Sequence, residues 1–369
     1  MTDPLDAVTS LTRELVRIDS RSALSNLAIA EAVEAALGGF TIERMDFTDP
    51  AGVAKRALVA HRGSTGGLAF AGHMDTVPPS GWQDDPFSAR LQDGVLHGLG
   101  STDMKGPLAA CITASRALPA HLPVTLLVTT DEETTKQGAS VIVERSALAR
   151  EAKPTAIVVA EPTKMVPLRG HRSHIHFIAT ATGVQAHSST GRGRNANWDL
   201  VGYLVEMQAL FHRLREDRTL QDADYDPPFS DFNPVIDNYG TAINVTVPRA
   251  TVSIKYRYTA KMDTAPVIAA VHEAAERAGL TLTLSQDGAP PELPPDHPLI
   301  RRCAALTGQA PRTAPYGTDA AELQRIAPCV VLGPGDIANA HTPTEQVRVA
   351  ELAAAVPMFM RLAEQVATA

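Results

Sequence analysis

The stretch VTLLVTTDEE, residues 124–133, combines two features that together determine the fold we expect for this chain. Its first part is a run of β-branched and other apolar residues, which is typical of a strand buried on both faces. Three adjacent carboxylates, Asp131, Glu132 and Glu133, follow directly, although like charges at such short range repel one another. A solvated turn would explain a lone acidic triplet, so the rest of the chain decides between a turn and a functional site.

Further apolar strands alternate with helices on both sides of this stretch. The segments RALVAHR, GLAFAGHMD and TAIVVAEPT predict strands, and GPLAACITASRALPA and GASVIVERSAL carry apolar residues at helical spacing. Alternation of this kind favours an α/β fold with a mixed, mostly parallel sheet that is covered by helices.

A change of pattern near residue 170 predicts an inserted domain. Residues 171–288 contain half-exposed strands, such as HIHFIATAT and ATVSIKYRYTA, and two helices, which indicates a small α+β domain. The proline-rich segment GAPPELPPDHP follows, and a strand and two helices come after it. We therefore expect residues 1–170 and 289–369 to form one α/β domain. A length of 369 residues also favours two domains over one.

Composition and charge exclude several classes of partner. The net charge is −8, from 33 basic and 41 acidic residues, and no basic block interleaved with aromatic residues occurs, so we expect no nucleic-acid partner. No apolar run approaches about 18 residues, so we expect no membrane partner. The N-terminal sequence lacks the features of a secretory signal. The scattered Cys111, Cys303 and Cys329 form no disulfide pattern, which favours a cytoplasmic protein.

Polar residues that can bind metal ions follow the apolar strands. Ligands of open α/β sheets bind at the carboxyl ends of the strands, so we expect these side chains to converge. Each of them also has an ordinary explanation, as a strand-end histidine, a helix N-cap or a turn residue. The candidates are His73 and Asp75 in GHMDTVP, Asp103 in STDMKG, Glu132 and Glu133 in the opening stretch, Glu161 in AEPT and His341 in NAHTP.

Two histidines combined with several carboxylates favour a divalent metal site. Imidazole nitrogen and carboxylate oxygen are ligands of zinc. The number of candidate ligands indicates two ions, with Asp103 as a bridge across about 3.5–4 Å. We expect Zn²⁺, with Co²⁺ or Mn²⁺ as alternatives. A carboxylate two residues after a histidine can hold the imidazole in one tautomer, which is the role expected of Asp75 toward His73.

The motifs GHMDTVP, STDMKG, DEE, AEPT and GPGDIANAH, in this order, resemble those of the dizinc deacylases and exopeptidases. That family includes acetylornithine deacetylase, succinyl-diaminopimelate desuccinylase, the aminoacylases and carboxypeptidase G. The resemblance covers nearly the whole chain and is nearest to the acetylornithine deacetylase branch. It implies a catalytic α/β domain with an inserted α+β lid or dimerisation domain, and therefore a homodimer. Leu99 and Lys255 depart from the family pattern, which leaves the side-chain specificity open.

The resemblance also implies a role for each residue of the candidate set. Glu132 would be the general base that activates water, and Asp75 would orient His73. The metal ligands would divide into two sets that share one carboxylate. These sets are His73, Asp103 and Glu161 for one ion, and Asp103, Glu133 and His341 for the other.

Segments at and after the inserted domain resemble substrate-contacting parts of the family. GVQAHSSTGRGRNAN implies that His187 stabilises an oxyanion, although a strand-end histidine in a polar turn is the alternative. GTAINVTVPRATVSIKYR implies that Asn244 and Arg257 hold the substrate, and Arg257 could pair with a carboxylate or be an exposed strand arginine. YGTDAAELQ resembles a loop of the acetylornithine deacetylase branch and implies that Gly317 and Thr318 line the substrate pocket.

These features lead to one expected activity and its rivals. We expect a metal-dependent amidohydrolase that cleaves the amide of an N-acyl amino acid, with N-acetylornithine as the leading substrate. A dipeptidase or carboxypeptidase of the same family is the first alternative, and a non-catalytic amino-acid-binding relative is the second. A phosphohydrolase would also use paired metals, but the sequence has no lysine- and glycine-rich phosphate loop.

Overall fold

The computed structural model describes residues 3–368 and divides the chain into two compact units. The first unit contains the described residues up to Gly170, the segment Pro291–Arg312 and the described residues from Thr318 onward. The second unit contains His171–Pro290 together with Thr313–Gly317. Each unit has its own buried apolar core, so each is described by itself.

The helices begin and end close to the positions that their apolar spacing predicts. The carboxylate of Asp3 accepts a hydrogen bond from Leu5 N and caps the first helix, which has proline at its first turn. None of the helices within residues 3–368 combines the length and apolar character needed to cross a lipid bilayer. The α-helices are α1 (Pro4–Val16), α2 (Leu27–Ala36), α3 (Lys105–Ala117), α4 (Gln137–Arg145), α5 (Ala147–Ala152), α6 (Asn197–Glu216), α7 (Ala265–Arg277), α8 (Pro298–Thr307), α9 (Ala320–Leu323) and α10 (Val349–Ala367).

The strands form a large mixed sheet and two smaller sheets. The large sheet has the order β1-β2-β6-β3-β7-β14-β8-β13, the inserted one β10-β11-β9-β12 and the small one β15-β5-β4. The strands are β1 (Thr41–Thr48), β2 (Ala54–Arg62), β3 (Leu68–His73), β4 (Arg90–Gln92), β5 (Val95–His97), β6 (Val124–Thr129), β7 (Ala156–Val159), β8 (Leu168–His171), β9 (Ser173–Thr182), β10 (Asp231–Asp237), β11 (Arg249–Tyr258), β12 (Thr281–Gln286), β13 (Arg312–Ala314), β14 (Cys329–Val331) and β15 (Gln346–Arg348).

The centre of the large sheet is parallel and fully buried. Strands β6, β3, β7 and β14 run parallel to one another, whereas β2 pairs antiparallel with both of its neighbours, β1 and β6. Every residue of β3, β6 and β7 is buried, as expected for strands covered on both faces. Phe70 of β3 packs on Phe359 of α10 with ring centroids 5.2 Å apart. The predicted α/β class with a mostly parallel sheet is confirmed.

One helix prediction is wrong. The segment GASVIVERSAL was expected to be a single helix, but the structure divides it into α4 and α5 at Ser146. Ser146 has an extended backbone, and its Oγ accepts a hydrogen bond from Ala149 N at 2.9 Å. The carboxylate of Glu43 accepts hydrogen bonds from the next two amides, each at 3.0 Å. These caps satisfy the amides of the new helix start, so a second helix begins there.

The second unit is an antiparallel sheet with helices α6 and α7. Strands β9 and β11 alternate between buried and partly exposed residues, which is the pattern of a sheet with one face on the core. The apolar face packs against Tyr203 of α6 and Val271 of α7, both fully buried. Strands β10 and β12 lie at the two edges, and most of their residues are exposed. The second unit therefore has two open sheet edges.

Candidate metal centre

The candidate ligands lie where the parallel strands of the first unit end. His73 is the last residue of β3, and Glu133 and Glu161 follow soon after β6 and β7. Because these three strands are parallel neighbours, their carboxyl ends meet at one edge of the sheet. Asp103 lies just before α3, and His341 lies in the loop between β14 and β15. The sheet topology therefore brings side chains together from distant parts of the sequence.

Four of the predicted ligands form a continuous series of contacts. Nε2 of His73 lies 3.1 Å from Oδ1 of Asp103. Oδ2 of Asp103 lies 3.4 Å from Nε2 of His341, which in turn lies 3.0 Å from Oε1 of Glu133. Asp103 thus presents one carboxylate oxygen to each histidine, which is the arrangement required of a ligand that two ions share.

Glu161, the fifth predicted ligand, lies in the same charged environment. Its side chain is only 5% exposed, and it interacts electrostatically with Asp103, His73 and Glu132. Burial raises the pKa of Glu161 well above its ordinary value, and the negative charge of Asp103 raises it further. Among residues 3–368, the group of potential ligand atoms that all lie within 4.8 Å of one another comes from His73, Asp103 and Glu133. Glu161 is not part of this group. Its role as a ligand stays a prediction.

The electrostatics of this cluster favour a cation. Burial raises the pKa of Glu133 to about 7, and the charge of Asp103 adds to this effect. Hydrogen bonds to Asp103 and Glu133 raise the pKa of His341 to about 10. Burial opposes protonation of His73, but its carboxylate partners outweigh burial and raise the pKa of His73 well above its ordinary value. The buried carboxylates therefore require positive charge, which protons or divalent cations can supply, and the nitrogen and oxygen donors suit zinc.

Asp75 connects His73 to the acidic triplet. Nδ1 of His73 lies 3.0 Å from the backbone carbonyl oxygen of Asp75 and 3.5 Å from its carboxylate. The carboxylate accepts hydrogen bonds from Ser22 Oγ at 2.7 Å and from the amides of Glu132 and Glu133 at 3.2 and 3.3 Å. An Nδ1–H directed at Asp75 leaves Nε2 of His73 free for a ligand bond. The carbonyl oxygen is the nearer partner of Nδ1, whereas the spacing of the two residues in the sequence predicts the carboxylate.

The acidic triplet is a turn in which each carboxylate has a different environment. Asp131 has a left-handed backbone with φ of 61°, and its carbonyl accepts hydrogen bonds from the amides of Thr135 and Lys136. Its carboxylate pairs with the fully buried Lys55 at 2.7 Å. Oε1 of Glu132 lies 3.5 Å from Nζ of Lys136, and Glu133 contacts His341. The first acid anchors the turn, Glu132 interacts electrostatically with Glu161, and Glu133 contacts a candidate ligand directly.

A buried acid beside this site, Asp319, is not among the residues predicted from the sequence. Asp319 is 1% exposed, and its Oδ2 accepts a short hydrogen bond from Thr129 Oγ1 at the end of β6. Burial raises the pKa of Asp319 to about 8, and the charge of Glu132 contributes to this shift. Asp319 belongs to the motif YGTDA, in which the family resemblance points only to Gly317 and Thr318. An acid within that motif was the available signal, but nothing in the pattern indicated burial.

The candidate substrate-binding residues are divided between the units. In the second unit, Ser188 N donates to the carbonyl of Asn244 at 3.0 Å, so the exposed His187 and Asn244 lie on adjacent segments. Arg257 of β11 forms an ion pair with Asp231 on the neighbouring strand β10.

The other two candidates follow each other in sequence but belong to different units. Gly317 is assigned to the second unit, where a Cβ would lie 3.0 Å from the carbonyl oxygen of Arg172. Thr318 belongs to the first unit, is 1% exposed, and accepts a hydrogen bond from Ala320 N at 3.1 Å. The geometry leaves the substrate-binding roles of His187, Asn244, Arg257, Gly317 and Thr318 as predictions.

Comparison with known proteins identifies the family. The sequence profile of the peptidase family M20/M25/M40 matches residues 69–365. Acetylornithine deacetylase of Myxococcus xanthus is 30% identical over 372 aligned positions, which cover 95% of each chain. The enzyme of the same name from Erwinia tasmaniensis is 32% identical over 326 positions, covering 85% of this chain and 83% of the relative.

A solved structure shares the fold. An M20 family metallo-carboxypeptidase of Sulfolobus solfataricus superposes with a TM-score of 0.76 over the full length of both chains, at 16% identity. The profile match spans most of the chain, and the two deacetylases align along at least 85% of it. The chain therefore belongs to peptidase family M20/M25/M40 and is a hydrolase homologous to acetylornithine deacetylases.

Proposed function

We propose that this protein is a metal-dependent amidohydrolase that removes the acyl group from an N-acyl amino acid. The observation that carries the proposal is the contact series His73–Asp103–His341–Glu133 at the carboxyl ends of the parallel strands. We assign His73, Asp103 and Glu161 to one divalent ion and Asp103, Glu133 and His341 to the other. Zn²⁺ fits these donors best, and Co²⁺ and Mn²⁺ are the alternatives.

The mechanism depends on residues that surround this site. Two bound divalent ions would supply Lewis-acid chemistry, because they acidify water and polarise the amide carbonyl. Glu132 takes a proton from the attacking water and delivers it to the amine nitrogen as the carbon–nitrogen bond breaks. The Asp75 carboxylate holds the amide of Glu132 at 3.2 Å, which orients this base.

The relatives support an N-acyl amino acid as the substrate. Two of them, aligned along at least 85% of this chain, are named acetylornithine deacetylase, which makes N-acetylornithine the leading candidate. The fold shared with a metallo-carboxypeptidase supports peptide cleavage as the second candidate. We assign His187 to the oxyanion and Asn244 and Arg257 to the substrate, with Gly317 and Thr318 lining the pocket.

We propose that the second unit acts as a lid and dimerisation domain and that the protein is a homodimer. The edge strand β10 exposes its residues Val235 and Ile236, at 57% and 53%. On α6, Val205 is 61% exposed and lines a concave surface with Phe232 and Pro234 of β10. An open antiparallel edge beside exposed apolar side chains is self-complementary, so a second copy of the chain can cover it.

The compartment is also part of the proposal. All three cysteines of the chain are free thiols in the structure, and all are buried. Free thiols are typical of a reducing compartment, which supports a cytoplasmic protein.

Substitution of Glu132 by glutamine tests the proposed function. The change removes the base but keeps the shape of the side chain, so we expect turnover of N-acetylornithine to fall by about 10²–10⁴-fold. Metal content, measured on the same preparation, should stay near two ions per chain. The exposed Glu144 on α4 provides the matched control, because Glu144→Gln removes a carboxylate away from the site.

Three outcomes would contradict parts of this proposal. Loss of metal from the Glu132→Gln variant would reassign this residue as a ligand. Strong turnover of dipeptides without deacylation of N-acyl amino acids would replace the proposed substrate by the second candidate. If the metal-loaded protein bound amino acids but cleaved no amide, the protein would be a binding relative and not an enzyme.

A further inference from the structure

The segment that follows His341 runs alongside the segment that precedes Asp103. Strand β15 pairs antiparallel with β5, so that Gln346 faces His97. Directly beyond this pairing, Gly98 N donates to the carbonyl oxygen of Glu345 at 3.1 Å. The loop that carries one candidate ligand is therefore attached to the loop that carries another.

The side chain of Glu345 makes the attachment specific. It is 1% exposed, and its Oε1 accepts hydrogen bonds from Thr102 N at 2.9 Å and from Asp103 N at 3.0 Å. A buried carboxylate is stable only if it is hydrogen-bonded or faces positive charge. The fully buried Lys105 interacts electrostatically with it, and Nζ of Lys105 donates to the carbonyl of Ile18 at 2.9 Å.

The position of Glu345 relates the two ligand loops to each other. It is four residues beyond His341, and it binds the backbone amide of Asp103 itself. Nε2 of His341 lies 3.4 Å from Oδ2 of Asp103. A change in the Glu345 hydrogen bonds would therefore alter the distance between a histidine and the carboxylate shared by both proposed ions.

We propose that Glu345 is a positioning residue that holds Asp103 and His341 at the separation required for two metal ions. This inference rests on the proposed function, since it concerns the same site, but it assigns Glu345 no contact with metal or substrate. Residues that orient metal ligands typically change metal affinity or activity by about 10–100-fold when they are replaced.

Substitution of Glu345 by alanine removes the oxygen that accepts both amide hydrogen bonds, and it tests the inference with two measurements. Titration of the metal-free chain with Co²⁺, followed by visible absorption, should show one of two ions bound about 10–100-fold more weakly than in the wild type. Hydrogen exchange of the metal-free chain should show faster exchange of the Thr102 and Asp103 amides. The exposed Glu351 on α10 gives the matched control, because Glu351→Ala makes the same chemical change six residues away.

The outcomes separate this inference from the proposed function. Wild-type Co²⁺ affinity and amide exchange in the Glu345→Ala variant would overturn the inference. Faster exchange throughout the chain with unchanged Co²⁺ affinity would reduce Glu345 to a general structural role and overturn it too. If the wild type itself bound fewer than two ions, the proposed function would fail. If Glu345→Ala does not fold, the same two measurements are made on Glu345→Asp, which keeps the charge but shortens the side chain.

Discussion

Substitution of Asp75 by asparagine tests how the acidic turn is held beside His73. The two carboxylate oxygens of Asp75 serve different amides, since Oδ1 accepts from Glu132 N and Oδ2 from Glu133 N. Asparagine has one acceptor oxygen, so either rotamer leaves one of these amides without its partner. The Ser22 hydroxyl can reverse its hydrogen bond and accept from the new NH₂ group. The substitution therefore removes one amide bond and the charge that strengthens the other.

The expected cost follows from these contacts. An amide left without a partner in a buried site costs about 1–3 kcal/mol, and the loss of charge assistance adds about 1 kcal/mol. We expect Asp75→Asn to lower the free energy of unfolding of the metal-free chain by ~2–4 kcal/mol, measured by urea denaturation. We also expect kcat/KM to fall by about 10–100-fold, because the turn carries the proposed base and a proposed ligand. The exposed Asp84 gives the control variant Asp84→Asn.

The pH dependence provides a further check. Burial opposes ionisation of Asp75, but hydrogen bonds from His73, Ser22 and Glu132 N lower the pKa of Asp75 below its ordinary value of 3.8. A lowered pKa in the folded chain means that the carboxylate stabilises the fold above about pH 4, and that this stabilisation is lost as the pH falls through the folded pKa. The difference between wild type and variant should shrink in that acidic range. A difference below about 0.5 kcal/mol at pH 7 with unchanged kcat/KM would refute the reasoning.

Two further predictions concern other parts of the fold. Lys55→Met leaves the buried carboxylate of Asp131 without its charged partner. We expect this variant to lower the free energy of unfolding by ~3–5 kcal/mol in thermal denaturation, and we expect the additional change Asp131→Asn to restore part of that loss. If the double variant is no more stable than Lys55→Met, Lys55 acts instead through the hydrogen bonds that its Nζ donates to the carbonyl oxygens of Ser22 and Leu24. We expect Val235→Lys or Ile236→Lys to convert a dimer to monomers, as measured by analytical ultracentrifugation, without altering the circular dichroism spectrum. A monomeric wild type would contradict the proposed interface.

The parts of the fold that the sequence predicted are those with strong apolar patterns. Strands β3, β6 and β7 are continuous apolar runs, because both of their faces are covered. Strands β10 and β12 were missed, because edge strands in contact with solvent keep polar residues and, in β10, Pro234. The division of α4 from α5 was also missed, since Ser146 terminates the helix only through partners such as Glu43, which lies far away in the sequence.

The residues of the candidate site were also predicted only in part. The histidines and acids that approach one another were predicted because they follow apolar strands in the sequence. The order of the strands in the large sheet then brings these strand ends together. Asp319 and Glu345 were not singled out, since each is held by a partner from a distant segment, namely Thr129 and Thr102. A single acid in a polar segment carries no sign of burial. Only the folded chain places such residues beside the ligands.

The position of β14 has a consequence for biosynthesis. It lies between β7 and β8 in the large sheet, yet it follows the whole second unit in sequence. During translation, β7 and β8 therefore emerge from the ribosome long before the strand that separates them. Each nascent chain exposes two unpaired strand edges until Cys329–Val331 arrives, and unpaired edges are the sites at which strands of other chains attach. Slow synthesis of the second unit lengthens that exposed interval and increases the demand for chaperones.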